Sequence, residues 1–160
     1  MLSQPSPATN LKALRVVFLG VGNELQGDDA AGLLVTRALA ARLSSSPAVL
    51  ILEGGVAPEN FTGKIRKFAP DRVIIVDAAD MGFEPGTIQV IPLDQVDGFS
   101  ASSHILPLSV LAKFIIADTG CEVGIVGIQA KSLEMGEDVS APVQRAVATL
   151  VDVLYDQLTL

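Results

Sequence analysis

The sequence predicts an α/β fold, a three-layer sandwich in which a twisted, mostly parallel central sheet is flanked by helices. Three observations predict it. Short β-branched runs alternate with helical patterns from Arg15 onward, the order of elements that successive strand–helix units produce. Those runs are apolar throughout rather than alternating in polarity, as strands covered on both faces must be. The core must also be aliphatic, because 49% of the chain is hydrophobic and only 4% aromatic.

Residues 1–14 are rich in Ser, Pro and Ala and read as a flexible tail, leaving 15–160 as one domain of ordinary size. Val16–Leu19 is a first buried strand ending at Gly20, and Ala30–Leu43 follows as a helix with Leu33, Leu34, Ala38 and Leu39 on its apolar positions. Val49–Leu52 is a second strand. Pro58–Phe68 reads as a helix, with Pro58 in its first turn and Pro70 past its end. Arg72–Val76 is a third strand running into Asp77. A hairpin-like pair is expected next, with Pro85-Gly86 turning into Thr87–Ile91. His104–Ala117 reads as a helix, Val123–Ile128 as the last strand, and Ala141–Leu158 as a closing helix introduced by Ser140 and Pro142.

Charge and composition narrow the function. A formal charge of −7 argues against nucleic acid or an anionic membrane as partner, since both need a basic face. No apolar run reaches the roughly 20 residues that cross a bilayer, and the opening residues carry no secretory apolar stretch. Cys121 is the only cysteine, so no internal disulfide or multi-thiolate zinc site can form. A cytoplasmic monomer is expected.

Ligands of such sheets collect at the carboxyl ends of strands, where strand order reverses. Three groups fall there: Asp29 after the first strand, Asp77 after the third, and His104, the only histidine, after the loop 97–103. One imidazole and two carboxylates suit a divalent ion at about 2.0–2.2 Å, with nickel, zinc and copper all compatible. Each residue also has an ordinary structural reading. Asp28 and Asp29 suit the capping of the following helix, Asp77 a satisfied turn, and His104 a structural position before a helix. Gly20 and Gly22 after a strand, with Glu53 ending the next, resemble the start of a dinucleotide fingerprint. The third glycine position is Leu25, however, and two carboxylates would sit where a pyrophosphate needs a helix N-terminus.

The segments GVGNELQGDDAAG, EGGVAPEN, VIIVDAADMGFEPG and SSH, in that order, resemble the hydrogenase maturation endopeptidases, in particular the branch acting on hydrogenase-3-type large subunits. The resemblance runs from about Val16 to about Leu154. It implies a phosphorylase/hydrolase-like α/β sandwich and three metal-contacting side chains that map onto Asp29, Asp77 and His104. Gly22 and Asn23 would shape the loop presenting Asp29, and Gly54–Glu59 would lie near the cleft. The implied activity is removal of the C-terminal extension from the large-subunit precursor of a [NiFe] hydrogenase after nickel insertion. The nickel would then be supplied by the substrate, and the isolated enzyme would need no metal of its own. No G-x-S-x-G elbow is present, so water attack assisted by a carboxylate or the metal, as in an aspartyl or metal-assisted protease, is the expected chemistry. A nickel-sensing, chaperone-like binding protein on the same fold is the second expectation.

Overall fold

The apolar runs pair into one five-stranded sheet in a computed structural model that describes residues 11–101 and 106–159. Its strands are β1 (Val16–Val21), β2 (Val49–Gly55), β3 (Arg72–Ala79), β4 (Ile88–Val90) and β5 (Glu122–Gln129), in the spatial order β2-β1-β3-β5-β4. The three pairings among β2, β1, β3 and β5 are parallel, and only β4 runs antiparallel, against β5.

The helices are α1 (Ala31–Arg42), α2 (Thr62–Phe68), α3 (Val96–Phe99), α4 (Leu108–Thr119) and α5 (Ala141–Thr159). The pleat sends alternate β3 residues to opposite faces. Ile74, Val76 and Ala78 meet α1 and α5, whereas Val73, Ile75 and Ala79 meet α2, α3 and α4. That division makes the three layers expected from sequence. The α5 helix shows why it docks: Val143, Ala146, Val147, Leu150, Val151 and Leu154 recur at three- and four-residue spacing and are all buried.

Several local expectations shift. The hairpin after β3 does not form, because β3 already has β1 and β5 as neighbours; Ile88–Val90 instead crosses to the open edge of β5. Asp77 lies inside β3, which runs three residues further than expected. The helix expected over 58–68 divides into a 3-10 turn, Pro58–Phe61, and α2. A similar turn, Gly27–Ala30, precedes α1. Leu11–Ala13, assigned to the tail from sequence, forms a 3-10 turn because Leu11 finds an apolar pocket in the α1–α5 layer. No helix among the described residues is long and apolar enough to cross a membrane.

Candidate functional site at the carboxyl edge of the sheet

The strand order places a reversal between β1 and β3. From β1 the chain moves outward to β2, and from β3 it moves the other way, so the loops leaving these neighbours diverge and open a crevice above them. Asp29 and Asp77 sit on either side of it. Gly20 pairs with Val76, so Asp77 lies one residue beyond the last paired position, level with Val21 at the end of β1. Asp29 comes from the Gly27–Ala30 turn that follows β1 and packs against β3. Both carboxylates are almost wholly buried, at 2% and 1% exposure.

The loop around Asp29 has its shape forced by glycine. Gly22 has φ +137°, and a Cβ there would lie 2.0 Å from the Asp29 carbonyl oxygen. Only a residue without a side chain lets the loop fold back on itself so closely. The return brings the Asn23 N–H to Asp29 Oδ2 at 2.9 Å. Close packing under the crevice comes from Gly32, whose Cβ would lie 2.2 Å from the Val76 oxygen and 2.5 Å from that of Val21. The first turn of α1 therefore rests directly on the backbone of both strands that carry the site.

Asp77 is held from another direction. The Ser100 hydroxyl donates to Asp77 Oδ2 at 2.7 Å, and Ser100 is placed by a bridge to Ala79 and by the Ala101 N–H donating to Ala78 O. The chain at residues 100 and 101 is thus tied to the end of β3. His104 itself, like residues 102–105 generally, lies outside the described residues. Asp29 and Asp77 are the two members of the expected metal-contacting set that the structure describes; among the described residues no group of three His, Cys, Asp or Glu side chains is poised around a metal position.

Asp28 has a different task from its neighbour. Neither the 27–30 turn nor α1 has a side-chain cap, so the capping expected of Asp28 and Asp29 does not occur. Asp28 instead turns to the loop between β5 and α5. Its carboxylate accepts from the Lys131 and Ser132 N–H groups at 2.8 and 3.1 Å, and from the N–H and hydroxyl of Ser140 at 2.7 and 2.9 Å. Four donors on a carboxylate that is 1% exposed compensate the cost of burying its charge.

Gln129, at the end of β5, organises the remaining loop. Its side-chain oxygen accepts from the Met81 N–H at 2.7 Å, and its nitrogen donates to Asp80 Oδ1 and Ala130 O. Ser100 and Gln129 carry no sequence motif, because Asp77 lies 23 residues from Ser100, and Met81 and Asp80 lie 48 and 49 from Gln129. On the far side of the crevice, the Gly22 N–H donates to Gly55 O at 3.0 Å, joining the 54–59 segment to the Asp29 loop. Glu53 is engaged by Arg37, which also meets Glu24 at 2.9 Å. Glu24 first, and then Glu53, hold the guanidinium above its usual pKa. Cys121 is buried just before β5 begins, at the opposite edge of the sheet from both carboxylates, which removes it as a nucleophile for this crevice.

Comparison with known proteins shows the family of the chain. The family model described as hydrogenase maturation protease matches residues 33–157. The hydrogenase 3 maturation protease of Escherichia coli K12 is 38% identical over 135 residues, covering 84% of this chain and 85% of that protein. This chain belongs to the hydrogenase maturation protease family. A crystal structure of a [NiFe] hydrogenase maturation protease from Thermococcus kodakarensis superposes with a TM-score of 0.85 at 34% identity, covering 94% of this chain and 97% of that one. A putative hydrogenase maturation protease of Methanocaldococcus jannaschii is 30% identical over 151 residues, 89% of each chain. The chain is therefore a peptidase, and its mixed five-stranded α/β sandwich is the architecture of solved hydrogenase maturation proteases.

Proposed function

We propose that this protease removes the C-terminal extension of the nickel-loaded large-subunit precursor of a [NiFe] hydrogenase, with Asp29, Asp77 and His104 recognising the nickel that the substrate carries. The observation that carries the reading is the pair of buried carboxylates on neighbouring strands at the point of strand reversal. In a peptidase, two such groups in the ligand-binding crevice are the ones available to chemistry.

The nickel is substrate, and the protein contributes oxygen ligands held in advance. Asn23 fixes one carboxylate and Ser100 the other, so little reorganisation is needed when the metal arrives. Recognition of the metal places the adjoining precursor chain over the crevice. A water molecule then attacks the scissile carbonyl, giving its proton to a carboxylate, and that proton passes to the departing amine. An unloaded precursor lacks the anchor and is passed over. The protein needs no resident metal in this scheme, and the reaction belongs in the cytoplasm, in keeping with the single free thiol.

Intact-mass measurement of a large-subunit precursor mixed with the protein, with and without nickel, tests the reading. Loss of a C-terminal peptide from the nickel-loaded sample alone is expected. Cleavage of both samples would remove the nickel checkpoint, and stable association without any cleavage would remove precursor processing. Chelator-treated, desalted protein should cleave the loaded precursor at its full rate; loss of activity restored by added metal would show a resident cofactor.

A further inference from the structure

Four large apolar side chains stand exposed on the loops that leave the carboxyl edge: Leu25 at 65%, Val56 at 56%, Phe83 at 52% and Met135 at 63%. They follow β1, β2, β3 and β5 respectively, one on each parallel strand's exit loop. The loops are laced into one surface. The Gly136 N–H donates to Leu25 O at 2.8 Å, setting Met135 beside Leu25. Gly22 bonds to Gly55, next to Val56, and the Phe83 N–H reaches Gln129 Oε1 at 3.4 Å. The crevice containing Asp29 and Asp77 lies among them.

The same loops are strongly acidic. Beyond the buried Asp28 and Asp29, segments 22–30, 56–61, 80–87 and 130–140 hold seven acidic residues and one basic one, Lys131. Exposed apolar side chains grouped around a site mark a surface that another molecule covers. A surrounding margin of one sign selects the charge of that molecule and speeds its approach.

We infer that Leu25, Val56, Phe83 and Met135 form the docking rim for the folded precursor, meeting an apolar patch bordered by basic residues on that protein. The inference rests on the proposed function and adds to it where the precursor's body binds, separately from the nickel and the scissile segment. Binding energy at the rim makes cleavage depend on the folded substrate and not on a tail peptide alone.

The test compares the Leu25→Ser/Met135→Ser double variant with wild-type protein and with a Val90→Ser/Val153→Ser control. The control alters exposed apolar residues on β4 and α5, away from this edge. With nickel-loaded precursor, the rim variant should raise KM at least about tenfold while kcat stays within about twofold, as losing two interface anchors does. Its melting temperature should match wild type, and the control should leave both constants unchanged. Added salt should raise the wild-type KM. Unchanged KM in a rim variant whose parent cleaves normally would overturn the rim alone. A wild-type protein that cleaves no precursor would overturn the proposed function and the rim with it. Concentration-dependent dimerisation that the double variant abolishes would assign the surface to a second copy of this chain, against the inference.

Discussion

The two edges of the sheet spend their polar groups differently. At the amino edge, Arg15 closes the loops entering the strands: its guanidinium donates to Phe68 O at 2.7 Å and Pro47 O at 3.2 Å, and lies 4.3 Å from the Phe68 ring centre. Its own N–H donates to Asp71 Oδ2 at 2.8 Å, while Arg72 pairs with Glu122 at 2.7 Å. These contacts join loop to loop at the surface. At the carboxyl edge three carboxylates are buried instead, and exposed positions carry Leu, Val, Phe and Met. An edge built only for stability would not bury acids and expose apolar side chains together. The contrast separates the end that ties the loops together from the end that carries the candidate site.

Even within the carboxyl edge two adjacent residues divide along the same line. Asp28 meets four donors from the β5–α5 loop, whereas Asp29 faces the crevice loop through Asn23. The sharpest way to break this comparison is to exchange acids for amides there. Asp29→Asn should lower the rate of precursor cleavage by roughly a hundredfold or more, the scale of losing a positioned acid–base or ligand group, with a melting temperature near wild type. His104→Ala should behave alike. If either variant cleaves normally in single-turnover assays, that residue leaves the proposed set.

Asp28→Ala should show the opposite balance. Four donors lose their acceptor, and unfolding in urea should report a loss of about 3 kcal/mol, or about 6–12 °C in melting temperature for a chain of this size. A cost under about 1 kcal/mol would mean that the β5–α5 loop does not depend on this carboxylate.

Ser100→Ala sharpens the comparison at a smaller scale. Removing the hydroxyl that holds Asp77 should cut kcat about tenfold with little change in KM, and Ser100→Thr should restore part of it. Equal effects on kcat and stability would assign Ser100 to the fold alone. At the other edge, Arg15→Ala should cost about 1–2 kcal/mol of stability from its lost carbonyl and ring contacts, and leave cleavage by the folded fraction intact.

Much of this layout was legible in the chain because parallel strands covered on both faces need apolar runs, and those runs are short and well separated here. The position of Asp29 and Asp77 followed from the same reading, since groups that end neighbouring parallel strands share an edge. What local pattern could not supply is pairing across distance. Pro85-Gly86 has the chemistry of a hairpin turn, yet β4 pairs with a strand more than thirty residues later because β3 has no free edge to offer. Asp28 looks like a helix cap beside Asp29 until the donors from residues 131–140 arrive, over a hundred positions away. Ser100 and Gln129 take their meaning from contacts of the same kind.

Release of the precursor's tail by Asp77→Asn and by Arg15→Ala, assayed side by side on nickel-loaded substrate with both variants confirmed folded, sets the two edges directly against each other. The account predicts an unshortened precursor with Asp77→Asn and complete tail loss with Arg15→Ala. Full processing by a folded Asp77→Asn protein would contradict it, and would move the working groups away from the carboxyl edge of β3.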